Sequence, residues 1–402
     1  MNPLSLHLRY LVLATANVLA GLLGLFVLTM VSSRFGTVGL GDVALATALL
    51  TYATVAATGG TELFAIKSVA ANPQKLGQMI SAVIVVRLLL GGVCYAGLLS
   101  IAFWVYPDRS AIIALFGLAL LPAALMTSWV PQALHRSGVF ALVNVSTQAI
   151  SVGLLWVALQ AGYGLPAVAI TKVLADGLIV LGLLLWLRQS GYTIERVPDW
   201  KTLRRLVIDC LPIAGTQLVR MIGLGSDLII LAFFVSREEI GLFAASFKIY
   251  GFILGLATAY FVILLPRIAQ QRDNAAMSHE LKASFRRVLP LALLVSGVIA
   301  LTSATMLSLL FGQAFVTAAL SLQILCLAWL ANVGHRHYRQ VLVARGLHGV
   351  DFRQSAMACA VHLGARFALV PWLGITGAAL GMLIGELFLL FVQRQAAIRE
   401  LR

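Results

Sequence analysis

The chain has 402 residues, of which 60% are hydrophobic and only 11% charged, whereas a water-soluble domain keeps about 25% charged residues to cover its surface. A net charge of +14 would suggest nucleic acid in a soluble protein, but most of this excess falls in short loops between apolar runs, where membrane orientation accounts for it and no nucleic-acid partner is expected. The four cysteines, Cys94, Cys210, Cys326 and Cys359, lie in or at the ends of apolar segments without metal-like spacing, so neither disulfides nor metal sites are expected.

The first apolar run, LVLATANVLAGLLGLFVLTMV, follows MNPLSLHLRY. It is longer than the roughly 7–15 residues of a cleaved signal and reads as a retained first helix. Apolar runs long enough to cross a bilayer fall at roughly 10–31, 40–60, 78–104, 110–129, 139–160, 164–187, 207–234, 240–264, 289–311, 317–341, 354–372 and 374–393. These are twelve spans, here numbered one to twelve, and the even count puts both termini on one side. With Arg9 taken as inside, nineteen Lys or Arg residues lie in inside segments, concentrated at 188–205 and 267–287. The outside loops carry Arg34, Arg109 and Arg237 alone. That asymmetry predicts cytoplasmic termini.

The spans group as two six-helix halves, 1–190 and 207–402, joined by a cytoplasmic linker at 191–206. In the second span of each half VGLGDVA (38–44) can be laid on IGLFAAS (240–246). In the sixth, GLPAVAITKVLADGL (164–178) can be laid on GITGAALGMLIGELF (374–388), which sets Asp176 opposite Glu386. Both halves start and end inside, so they read as parallel repeats about an axis along the membrane normal.

Seven basic side chains fall inside the spans: Arg87, Lys172, Arg220, Lys248, Arg336, Arg339 and Arg366. The acidic ones singled out are Asp176, Asp227 and Glu386. A charge at the bilayer centre costs about 3 kcal/mol or more, so such residues face a protein interior or a wet cavity. Counted at about 1.5 Å per residue, Arg336 and Arg339 lie near the inner end, Arg87, Arg220, Arg366, Asp176 and Glu386 near mid-membrane, and Lys172, Lys248 and Asp227 in the outer half. The cationic surplus suits something negatively charged. In span ten, Asn332, His335, Arg336 and Arg339 share one helix face at i, i+3, i+4 and i+7, and His362 and Arg366 share a face of span eleven. Guanidinium groups there suit phosphate oxygens, against a reading in which Arg336 and Arg339 snorkel to the interface.

Three other features keep two readings each. Lys172 and Asp176 at i, i+4 also read as a self-neutralising pair, and Arg220 and Asp227 share a face two turns apart. Glu386, with no partner on its own helix, reads either as a carrier of H⁺ or Na⁺ or as a structural partner of Arg366. The Gly377, Gly381, Gly385 stripe and the Gly251, Gly255 pair read as close helix packing.

No GxxxxGK[ST], HExxH, CxxC or GxSxG motif is present, and no loop has room for a folded catalytic region. Neither an enzyme activity nor a cofactor is expected.

The segments RFGTVGLGDVALATALLTY (34–52), TELFAIKSVAANPQKL (61–76), LPIAGTQLVRMIGLGSDLIILAFFVSREEIGLFAASFKIYGFILGL (211–256), LPRIAQ (265–270) and LFGQAF (310–315) resemble the Wzx-type polysaccharide (O-antigen) flippases of the multidrug/oligosaccharidyl-lipid/polysaccharide exporter superfamily. The likeness runs along nearly the whole chain. It implies an all-α integral membrane protein with two six-helix bundles around a central cavity. It also implies alternating access that moves a polyprenyl-pyrophosphate-linked oligosaccharide to the outer leaflet of a bacterial inner membrane, driven by an H⁺ or Na⁺ gradient. Membrane lipids and polysaccharide assembly proteins would be further partners. In that reading Arg336 and Arg339 recruit the pyrophosphate, Arg87, Arg220 and Arg366 hold it, and Lys172 and Lys248 release it outward. Asp176, Asp227 and Glu386 balance charge or couple an ion. The alternatives are a multidrug or cation antiporter of the same fold, disfavoured by the cationic interior, and a non-transporting membrane subunit of a polysaccharide assembly complex.

Overall fold

The computed structural model describes residues 3–401 apart from 135, 193, 197 and 272, and describes side chains for all of these except 3–14, 137, 220, 224, 259, 262 and 263. Helices account for every regular element among the described residues. Ten helical stretches are long and apolar enough to cross a membrane. Two of them are too long for one crossing: Thr15–Ala71 and His348–Leu401 have 57 and 54 residues, each more than about 80 Å of helix against a hydrocarbon layer of about 30 Å. Each is folded back at one glycine, Gly36 (φ 65°, ψ −161°) and Gly374 (φ 53°, ψ −130°), a backbone conformation open to glycine at little cost. Ten stretches with two such folds give the twelve spans expected from hydropathy, in an all-α integral membrane protein.

The described chain forms two compact units, residues 1–34 with 45–218, and residues 35–44 with 219–402. The first has a core around the fully buried Trp129, with Ile80, Val83, Leu187, Leu206 and Cys210. The second packs Phe243, Tyr250, Leu325, Trp329, Ala378 and Met382. Outside the cores, large apolar side chains stay uncovered, as a lipid solvent allows. Trp104, at the end of Pro73–Trp104, and Trp372, just before Gly374, are 88% and 86% exposed, consistent with aromatic rings at the membrane interface.

Residues 35–44 join the second unit through a contact between backbones. A Cβ at Gly41 would fall on the Arg237 carbonyl oxygen, and a Cβ at Gly241 on the Thr37 carbonyl oxygen. The contact is reciprocal: Gly41 stands to Arg237 as Gly241 stands to Thr37. Local two-fold symmetry of this kind matches Gly41 with Gly241, two residues out of step with laying 38–44 on 240–246. Small residues permit this approach, and the Asp42–Arg237 pair, 3.7 Å apart, lies beside it.

Candidate functional site: a polar network and cavity in the second unit

Helix Ala319–Ala344 (span ten) presents the face expected from its spacing, and each member finds a partner. Asn332 donates to both oxygens of Glu386, at 3.2 and 3.1 Å. His335 places Nε2 2.9 Å from Glu386 Oε2 and Nδ1 3.0 Å from Gln393 Oε1. Arg336 donates to Thr258 Oγ1 at 2.7 Å, with its guanidinium 5.6 Å from the centre of the Phe261 ring. Arg339 grips Asp351 with two parallel bonds, Nε to Oδ1 at 2.8 Å and Nη2 to Oδ2 at 2.9 Å. Gln393 donates from Nε2 to Asp351 Oδ1 at 3.5 Å. A connected polar line thus runs Glu386, His335, Gln393, Asp351, Arg339.

Glu386 and Gln393 come from the same face of span twelve, and the glycine stripe on that helix explains how span eleven fits against it. A Cβ at Gly381 would strike Arg366 Cγ, one at Gly385 the His362 ring, and one at Gly377 the Leu369 carbonyl. The stripe is packing, as its spacing suggests, and what it accommodates includes two polar side chains. Gly251 and Gly255 differ: among the described residues a Cβ at either meets nothing within 4 Å.

Arg366 is fully buried, with Nε 2.7 Å from Oδ1 of the equally buried Asp227, although the N–H is not aimed along that line. Its Nη1 donates to the Gly223 carbonyl at 3.0 Å and to Ser226 Oγ at 2.9 Å. Span seven is broken there into Trp200–Gly225 and Asp227–Phe234. A break leaves carbonyls without helical partners, which is tolerable at membrane depth only inside protein; Arg366 supplies the missing donor. Arg87, in the first unit, does the same. It is 2% exposed and donates from Nε to Thr61 Oγ1 at 2.8 Å and from Nη1 to the Met126 carbonyl at 3.0 Å. Thr61 follows the Gly59–Gly60 break, and Met126 is the extended residue that ends helix Leu120–Leu125. Arg87 and Arg366 therefore each staple a helix break.

Arg336, Arg339, His335, His362, Asn332 and Gln393 border one cavity of about 70 Å³, with Gly223, Cys359 and a few apolar neighbours. Among the described residues no carboxylate borders it. Glu386 lies directly behind His335 and is 0% exposed. Arg366 is one turn from His362 but does not reach the lining. Lys172 and Asp176 are in the first unit and pair with each other at 2.8 Å, the self-neutralising arrangement read from their spacing. Lys248, part-buried on span eight, has no carboxylate partner among the described residues. The Arg220 side chain lies outside the described residues.

Three participants went unnoticed in the sequence. Gln393 is a neutral amide, yet its i, i+7 relation to Glu386 places it on the same face. Asp351 precedes its span by a few residues and reads as a loop charge until Arg339 reaches it. Asp42, buried at 8%, lies in the first turn of span two, where hydropathy gives it no partner.

The family model of polysaccharide biosynthesis proteins matches residues 9–272. Among solved structures, an inward-facing multidrug resistance MATE family transporter of the MOP superfamily aligns with a TM-score of 0.76 at 16% identity, covering 98% of each chain. The lipid II flippase MurJ, in an inward closed conformation, aligns at 0.78 and 13% identity, over 97% of this chain and 90% of that one. A MOP superfamily transporter from Pyrococcus furiosus, noted for a binding pocket of reverse polarity, aligns at 0.66 and 15% identity, over 98% and 95%. No curated protein sequence matches the chain. These likenesses carry the fold, and with the family match they establish that the chain belongs to the polysaccharide biosynthesis protein family and has the twelve-helix MOP-superfamily transporter fold.

Proposed function

We propose that this protein is a flippase that moves a polyprenyl-pyrophosphate-linked oligosaccharide, of the kind used for O-antigen, across a bacterial inner membrane. In this reading both termini are cytoplasmic, the halves are residues 1–190 and 207–402, and transport proceeds by alternating access powered by an ion gradient. The observation that carries the substrate class is the lining of the second unit's cavity, which among the described residues holds two arginines, two histidines and no carboxylate. Such a wall attracts an anionic headgroup and repels the organic cations of a multidrug antiporter, and guanidinium forks match phosphate oxygens bidentately. The family match and the similarity to a lipid II flippase support the same class.

Within the set named from sequence, Arg336 is the leading headgroup contact, because it borders the cavity with its guanidinium beside the Phe261 ring. Arg339 borders the same space but is committed to Asp351. Arg87 and Arg366 act through the helix breaks they hold. Lys248 and Lys172 serve release, and Arg220 remains a proposed contact at mid-membrane. The test is glycan export in a cell lacking its own flippase. A charge-assisted hydrogen bond is worth about 1.5–3 kcal/mol, so Arg336→Gln at normal expression lowers export about tenfold or more, and Arg336→Lys restores part of it. Undiminished export by Arg336→Gln removes the headgroup assignment.

A further inference from the structure

The orientation of one amide determines where a proton must sit in the second unit. Asp351 is held through both oxygens by Arg339, so it is ionised and only accepts. The Gln393 amide therefore turns its NH₂ toward Asp351 and its oxygen toward His335. An amide oxygen cannot donate, so His335 Nδ1 must carry a hydrogen. At the ring's other edge, Nε2 and Glu386 Oε2 lie 2.9 Å apart. The ring N–H direction is not aligned with that oxygen, so the two groups interact through charge: a proton on the pair sits on the ring, as imidazolium facing carboxylate, or on Glu386, as carboxylic acid facing imidazole, and both forms are neutral overall. Loss of that proton leaves a carboxylate, sealed from water, against an imidazole lone pair.

We propose that His335 and Glu386 together form a proton-binding site, and that H⁺ is the ion coupled to transport; this rests on the transport reading above. The surroundings of Glu386 disfavour Na⁺. Its oxygens accept from Asn332 at 3.2 and 3.1 Å and face the edge of the His335 ring, whereas hard cations need several oxygen ligands. Access runs one way. Glu386 has no exposure, while His335 borders the cavity, so a proton from the cavity passes through the imidazole. The other charged or titratable groups within electrostatic reach come from every neighbouring span. They are Arg336, Arg339 and Asp351, the buried pair Arg366 and Asp227, His337 on span ten, His362 on span eleven, and Tyr250 on span eight. Two of these sets are self-neutralised pairs, Arg339 with Asp351 and Arg366 with Asp227. The charge that changes is then the His335–Glu386 site's own, and an anion in the cavity favours its loaded form.

The experiment is infrared difference spectroscopy of the full-length protein in lipid films, stepped in pH at constant ionic strength with either Na⁺ or choline. A carboxyl or carboxylate band that changes together with imidazole ring modes is expected to appear with pH, to be lost in Glu386→Gln and in His335→Gln, and to survive in His362→Asn; the absence of any such coupled band in the unaltered protein overturns the proposal. Replacing choline by Na⁺ at fixed pH should leave the spectrum unchanged, an arm that uses the unaltered protein and so does not depend on any variant folding. Survival of the band in Glu386→Gln, or a Na⁺-induced change of the same shape, overturns the proposal. No substrate is present in this assay, so its failure leaves the flippase reading standing. Conversely, normal glycan export by Arg336→Gln with the band intact defeats the headgroup assignment alone.

Discussion

The Arg366–Asp227 pair offers the sharpest test of how this protein tolerates charge in its interior. Both residues are essentially sealed, at 0% and 1% exposure. Breaking a buried ion pair by removing one member costs about 3–5 kcal/mol, because the survivor is left uncompensated. The two single variants should differ. Asp227→Asn leaves Arg366 with two acceptors, the Gly223 carbonyl and Ser226 Oγ, and belongs near 3 kcal/mol. Arg366→Met strips Asp227 of its counter-charge, with neither carboxylate oxygen receiving an aligned donor, and also orphans the Gly223 carbonyl; it belongs near 5 kcal/mol. For a unit of about 200 residues, each kcal/mol moves the melting temperature by about 2–4 °C, so Arg366→Met falls by about 10 °C or more. The assay is thermal unfolding of purified protein in detergent, for both singles and the double variant. The double should be more stable than Arg366→Met alone, since removing the stranded carboxylate relieves its cost. Additive losses, or an unchanged melting temperature in Asp227→Asn, refute the reasoning.

Two further substitutions test the frame. Gly41→Ala and Gly241→Ala each drive a Cβ into a facing carbonyl and should destabilise by about 1–3 kcal/mol, with similar magnitude because the contact is reciprocal. Gly255→Ala, whose added Cβ meets nothing within 4 Å among the described residues, should be neutral in the same melting assay. Thr61→Val removes the acceptor of Arg87 Nε and should cost about 1–3 kcal/mol, whereas Thr61→Ser should restore most of it.

Several levels of this molecule were legible in the residues. Twelve apolar runs, the fold-back between Trp372 and Ile375, the one-sided face of span ten and the Lys172–Asp176 pair all follow from local spacing, because helix periodicity and bilayer thickness act on neighbours in sequence. The resemblance read from segments such as 211–256 also pointed to the family. What spacing could not supply was who meets whom across helices. Arg87 and Arg366 read as a cationic path, yet the fold spends them on carbonyls freed by breaks at Gly59–Gly60, Met126 and Gly225–Asp227, breaks that hydropathy averages away. Glu386 read as either a partner of Arg366 or an ion carrier; Arg366 pairs with Asp227, and Glu386 lies against Asn332 and His335. Gln393 and Asp351 acquire meaning only through those contacts. The sequence determined the solvent, the number of crossings and the family, since each depends on composition or on neighbouring residues. Tertiary structure alone decided which charges are neutralised and which border water, because a charge buried in a membrane protein takes its role from the partner that packing brings to it.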